Sequence, residues 1–189
     1  MENKLRAKDY FVAPTPLRQA RALVEKHHYA QGCSLTAVYS HGLYRCEDLE
    51  LVGAALWLPP TRVAAESVNR EHWRRVIALS RLVVLPEVPA NAASFLISGS
   101  VRIIKAERRF ASLVSYADSG QGHTGAIYKA ANWAYVETKG PGTYRWIDWT
   151  GKQVAQQSTK TRTTETMRSL GYIRQGPFKK HKFVLHLEK

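Results

Sequence analysis

Cysteine, acidic residues and long apolar runs are all scarce in this chain. Cys33 and Cys46 are the two cysteines among 189 residues. They do not form a CxxC pair and are too few for a disulfide scaffold, so free thiols in a reducing compartment are expected, without a metal role. The longest apolar runs, residues 52–60 and 82–85, fall far short of the roughly 20 residues that cross a bilayer. The N-terminal Met1-Glu-Asn-Lys-Leu-Arg lacks an apolar signal core. A cytoplasmic protein with no membrane partner is the expectation. Asp and Glu number 15 against 28 Lys and Arg, which leaves a net charge of +13 and a pI near 10.0. Such an excess predicts attraction to polyanions.

The charge is concentrated. Residues 152–189 hold nine Lys or Arg and two Glu, a net +7 and more than half of the total. A solvated basic face would explain many such runs. Here Tyr172, Phe178, His181 and Phe183 are interleaved with the cations, and nucleic-acid grooves pair stacking surfaces with positive charge in this way. Apolar residues make up 44% of the chain, ample for one buried core, so a single domain over 1–189 with a basic C-terminal segment 152–189 is expected.

The centre of the chain reads as strand 76–85, turn, helix 93–110, strand 111–118, loop 119–125 and helix 126–135. A strand, helix, strand order builds a crossover unit, and ligands gather beyond strand ends in such sheets. Around it lie an extended edge segment 4–15, a helix 17–29 capped by Thr15, strands 35–44 and 49–58, and a short helix 62–73. Further on come a strand 144–149, a helix 158–168 capped by Ser158 or Thr159, and a last hairpin of 172–173 with 182–187. The fold class is α+β, a mixed central sheet with helices on both faces.

Candidate site residues stand out by position. Arg81 lies inside an apolar strand, where a cation must snorkel, pair or face a ligand. Asn91 and Ser94 open the following helix; ordinary capping explains them, and a phosphate seat shared with Arg81 is the functional alternative. Asp118 ends a strand ahead of a glycine-rich loop, as a turn former or as a reactive carboxylate. His123 and Tyr128 follow it, and His28 with Tyr29 ends the first helix, where the dipole favours an imidazole. Together these five could form an acid/base cluster or a hard ligand set if the fold gathers them. The pattern Gly120-x-Gly122-x-x-Gly125 sits in the wrong context for a dinucleotide site.

Residues 79–87, Leu-Ser-Arg-Leu-Val-Val-Leu-Pro-Glu, and 126–133, Ala-Ile-Tyr-Lys-Ala-Ala-Asn-Trp, resemble the GNAT acyltransferase superfamily. The usual glycine-rich pyrophosphate loop is replaced by Pro89-Ala-Asn-Ala-Ala-Ser94. Residues 78–84, 91–96, 116–118 and 122–128 are similar, more narrowly, to the Mom family of bacteriophage DNA-modification proteins. Those GNAT-like enzymes convert adenine to N6-carbamoylmethyladenine and shield phage DNA from restriction. The resemblance implies a GNAT-like domain in the host cytoplasm, double-stranded DNA as partner, and acetyl-CoA or a related acyl donor held by Arg81 and Ser94, with Asn91 added as a donor-binding candidate by its place at the helix start. It implies an active site of His28, Tyr29, Asp118 and Tyr128, to which position in the loop adds His123 as a catalytic candidate, with iron on His28, Asp118 and Tyr128. Two other readings stand beside it: a conventional GNAT N-acetyltransferase acting on an amine, and a nucleic-acid-binding module without catalysis. The oligomeric state is open, a homodimer included.

Overall fold

The computed structural model describes residues 4–30, 32–138, 140–154 and 163–188. The elements in order are β1 (Tyr10–Pro14), α1 (Leu17–His27), β2 (Tyr39–Arg45), β3 (Leu51–Leu58), α2 (Arg62–Glu66), β4 (Val76–Val84), α3 (Ala92–Ala106), β5 (Ser112–Asp118), α4 (Ala126–Ala130) and β6 (Ala134–Val136). After them come β7 (Thr143–Ile147), β8 (Gln153–Val154), α5 (Thr164–Ser169), β9 (Ile173–Phe178) and β10 (Lys180–His186). A seven-stranded mixed sheet has the order β1-β2-β3-β4-β5-β10-β6, and a three-stranded sheet the order β8-β7-β9. Contacts divide the chain into two compact units. The first comprises 1–116, 125–136 and 182–189, and the second 117–124 and 137–181.

In the first unit, β3 runs Leu-Val-Gly-Ala-Ala-Leu-Trp-Leu, apolar on both faces, because helices cover both. Ala54 and Leu56 pack with Val83 against Ala20 and Val24 of α1. Trp57, the next residue along, turns to the opposite face, where its indole Nε1 donates to Ser100 of α3 at 2.7 Å. The same Ser100 hydroxyl contacts Nδ1 of His41, 1% exposed. An indole N–H can only donate, so the serine proton is free to go to Nδ1, an arrangement that suits a neutral His41. Burial holds its pKa down at about 4.

The second unit is built on β7, which pairs antiparallel with β8 and β9. Trp146 is buried, as is Met167 of α5. Arg145 lies 4.5 Å from the Phe178 ring and donates to the Gly120 carbonyl, tying the 119–121 turn to this sheet.

The edge segment, the hairpin at 46–48 and the central strand, helix, strand order are where the sequence puts them. Other expectations are corrected. Thr15 does not cap α1; its hydroxyl lies 3.0 Å from that of Tyr44, and Pro16 takes the cap position. The helix expected over 126–135 ends at Ala130, because Asn132 adopts a left-handed φ of 61°, and Tyr135 falls in β6. The helix near 158–168 begins at Thr164 with Thr163 as its cap, Thr163 Oγ1 accepting from Thr166 N; Ser158 and Thr159 lie outside the described residues. No terminal hairpin forms, since β9 pairs with β7 and β10 with β6.

Candidate functional site

The parallel ladder between β4 and β5 is short. It joins Val76 to Ser112, Ile77 to Leu113 and Ala78 to Val114, and there it stops, although β4 continues to Val84. Just beyond, the register of β4 against β3 shifts between Leu56 and Trp57, with Arg81 opposite Leu56 and Leu79 opposite Trp57. Ser80 is the extra residue of a β-bulge, which turns a strand and re-aims its groups. The edge of β4 from Leu79 to Val84 therefore has no strand partner in β5; the Leu79 and Ser80 carbonyls are taken by Ser115 and Arg81, and the edge peptide groups beyond them can meet a ligand.

Ser115 and Tyr128 occupy the fork. Ser115 Oγ is 3.2 Å from the Leu79 carbonyl oxygen and 2.8 Å from the Tyr128 hydroxyl. The carbonyl can only accept, so a serine proton given to it lets the tyrosine donate to Oγ, and the reverse arrangement is equally allowed. Tyr128 is 6% exposed. Burial raises its pKa, the Ser115 hydrogen bond lowers it, and the nearby Tyr29 hydroxyl raises it again. The result is a phenol kept protonated. Tyr128 stays fixed because its ring stacks on Phe183 with centroids 5.1 Å apart and tilts against Trp133 at 5.6 Å. Gly125, with φ of 79°, opens α4 where a Cβ would come within 2.1 Å of the Phe183 ring, so only glycine lets the helix approach.

His28 caps the end of α1, and its Nδ1 accepts from Ala30 N–H at 3.0 Å. Its ring lies 4.2 Å from that of Tyr29, centroid to centroid. Tyr29 thus neighbours His28 through its ring and interacts electrostatically with Tyr128.

The donor-binding trio does not converge. Arg81 Nε donates to the Gly32 carbonyl at 2.7 Å, and Nη1 to the Ser80 carbonyl at 2.8 Å. It shares the α1 face with Leu56 and Val83, whereas Ser94 belongs to α3 on the other face. A joint phosphate seat of Arg81 and Ser94 is absent because the sheet lies between them. Asn91 Oδ1 accepts from Leu5 N, and Ser94 Oγ donates to the Asn91 carbonyl at 2.9 Å. The N-terminus of α3 has neither a capping side chain nor an acidic residue in its first turn. Asp118 acts as a turn former, its Oδ1 accepting from Gly120 N at 2.8 Å. His123 follows in the same unit, its N–H donating to the Asp118 carbonyl. A cleft of about 750 Å³ near the N-terminus is lined by Lys4, Lys8, Arg45, Glu47 and Pro89 among others, and by none of the residues picked from the sequence.

Iron does not fit. Among the described residues no group of three or more His, Cys, Asp or Glu could hold a metal ion. The Tyr128 hydroxyl is engaged with Ser115, and burial opposes the phenolate that a metal ligand requires. The residues that sequence reasoning missed are Ser115 and Trp133. Ser115 carries the signal that singled out Arg81, a polar residue inside an apolar strand. Trp133 is buried with no hydrogen-bond partner for its indole N–H.

A mixed sheet whose parallel strands part beside a bulge defines a GNAT acetyltransferase fold. Solved structures agree. The chain is similar to the ribosomal-protein-S18-alanine N-acetyltransferase from Escherichia coli at 11% identity and a TM-score of 0.53, covering 95% of each chain. It is similar to an apo agmatine N-acetyltransferase mutant at 13% identity and a TM-score of 0.56, covering 94% of this chain and 99% of that one. A Bacillus subtilis acetyltransferase in complex with CoA matches at 9% identity and a TM-score of 0.51, over 94% and 97% of the two chains. Within that fold the sequence is more specific: residues 9–189 match the Mom protein family, and the chain belongs to it. No curated protein sequence matches the chain. Among the described residues no helix is long and apolar enough to cross a membrane.

Proposed function

We propose that this protein is a transferase that modifies the N6 amine of adenine in double-stranded DNA to N6-carbamoylmethyladenine and so protects phage DNA from restriction. Because that product carries an amide nitrogen that an acetyl thioester does not supply, the donor is a related activated acyl group that bears its own nitrogen, and acetyl-CoA itself would give the N6-acetyl amide. The observation that carries the reading is the fork between β4 and β5, with Ser115 and Tyr128 at its apex, in a chain of the Mom family. A coenzyme-A donor supplies an activated acyl group. The residues present fit it. The edge of β4 beyond Ser80, which has no strand partner in β5, suits the amides of a pantetheine arm, and the uncapped N-terminus of the 15-residue α3 suits phosphate.

The chain's own residues then have definite tasks. Adenine in a duplex is stacked and paired, so it must leave the stack to reach an enzyme site. Its exocyclic amine is a weak nucleophile because its lone pair is delocalised into the ring, so departure of the leaving group needs assistance. Tyr128, protonated at neutral pH, holds a proton at its hydroxyl for that purpose, and Ser115 fixes its direction against the Leu79 carbonyl. His28, beside Tyr29, supplies an imidazole that can take up the proton lost by the amine. The net charge of +13 favours the phosphate backbone as partner.

The test is mass spectrometry of nucleosides digested from plasmid DNA co-expressed with the protein. A modified deoxyadenosine is expected with the parent and not with Tyr128→Phe. The second reading, an amine N-acetyltransferase, is favoured by the N-acetyltransferase activities of the solved structures that share the fold. It predicts acetylated amines and unaltered nucleosides, which would refute the first reading.

A further inference from the structure

Trp149 is the most exposed large apolar side chain of the described residues, at 83%. It is not on a loose loop. Residues 148–151 form a turn closing the β7–β8 hairpin, with Gly151 N–H donating to the Asp148 carbonyl at 3.0 Å and Asp148 N–H to the Lys152 carbonyl at 2.9 Å. Gly151 has a φ of 84°, as a turn followed by a left-handed glycine requires. Asp148 Oδ1 then accepts from Thr150 N at 2.9 Å, Thr150 Oγ1 at 2.6 Å and Lys152 N at 3.0 Å. Five hydrogen bonds among Asp148, Thr150, Gly151 and Lys152 fix the turn while the indole of Trp149 faces out. Burying a tryptophan is strongly favourable, so a tip locked around an exposed one is built to meet something flat and apolar.

The surrounding charge says what. The described residues of the second unit hold six Lys or Arg against four Asp or Glu, and Lys152 adjoins the tip. On the same small sheet Arg174 lies 3.5 Å from the Tyr144 ring, with Tyr144 44% exposed. A rigid apolar wedge in a cationic setting matches the stacked bases and phosphates of a duplex.

We infer that the Trp149 tip is a wedge that inserts between base pairs of duplex DNA and unstacks them. The inference rests on the DNA-modifying reading above and names the residue that opens the helix for it. Unstacking a step beside the target lowers the cost of extruding the adenine.

The experiment uses the full-length protein and duplexes in which 2-aminopurine replaces a fraction of the adenines, read by base fluorescence, with affinity measured by anisotropy at several salt concentrations. The parent should raise 2-aminopurine fluorescence on binding. Trp149→Ala should abolish that rise and weaken binding about 10- to 100-fold, while the salt slope stays unchanged because phosphate contacts persist. Trp149→Phe should restore much of both. Equal fluorescence and affinity in Trp149→Ala would overturn the wedge, as would a parent that modifies adenine without any fluorescence rise. Unchanged DNA affinity with altered self-association would assign the tip to contacts between copies of the chain and overturn it too. A parent that neither binds duplex nor alters nucleosides fails the functional reading as well, and the nucleoside analysis distinguishes that outcome from failure of the wedge alone.

Discussion

The two units differ in where their distinctive polar groups lie. The first buries a set of them: His41, Ser100 and Ser115 are each 1% exposed or less, Lys182 is 5% exposed, and each has a hydrogen-bond partner, while Tyr29 and Tyr135 of the same unit are exposed. The second sets Trp149, Tyr144, Arg174 and Lys152 outward around a buried Trp146. Buried hydrogen-bonded hydroxyls have fixed directions and perturbed protonation, which suits chemistry. Exposed aromatics among cations suit contact with a large anionic partner. The division predicts that damage to the first unit changes turnover or stability, whereas damage to the second changes binding.

The largest expected effect is on chemistry. Tyr128→Phe keeps the ring between Phe183 and Trp133 and removes only the hydroxyl, so turnover should fall roughly 10²- to 10⁴-fold, measured as modified nucleoside per protein, with DNA affinity unchanged. A drop in affinity alone would break the comparison.

Acid should weaken the first unit through His41. Its folded-state pKa of about 4 lies below the ordinary 6.5, so the unfolded chain binds the extra proton. Stability is therefore full above pH about 6.5 and declines as pH falls toward about 4, by on the order of 3 kcal/mol from this group. Denaturant melts across that range check it, and His41→Gln should flatten the slope. A somewhat smaller loss is expected for Ser100→Ala, which strands both His41 Nδ1 and the Trp57 indole N–H, at about 1–3 kcal/mol by chemical denaturation. The smallest effect belongs to the tip. Asp148→Ala removes three accepted hydrogen bonds in an exposed turn, so global stability should shift by about 1 kcal/mol while DNA affinity falls as Trp149 loses its fixed direction. A larger stability loss than that of Ser100→Ala would reverse the contrast between units.

Much of the central fold was legible because its punctuation is local. Pro86 and Asp118 close their strands, and the apolar runs between them allow few alternatives. The pairing of β9 with β7 was not legible, since the Gly176-Pro177 step reads as a hairpin turn when it actually lies inside β9. Asn132 ended α4 early because asparagine tolerates a left-handed φ, which side-chain periodicity does not reveal. At the site, His28, Tyr29 and Tyr128 were recognisable as chemistry-bearing residues, and Tyr29 interacts with each of the other two. Arg81 was recognisable as unusual, but its face of the sheet follows from its register with Leu56, which only tertiary pairing sets. Ser115 was passed over because a serine in a strand is common; its meaning comes from where the ladder with β4 stops.

Amide hydrogen exchange tests the division of labour most directly. Coenzyme A added to the isolated protein should slow exchange over Leu79–Val84 and the first turn of α3 while leaving residues 148–152 untouched. Duplex DNA should protect residues 148–152 instead. Coenzyme A that leaves β4 unchanged, or protects the hairpin tip, would contradict the account.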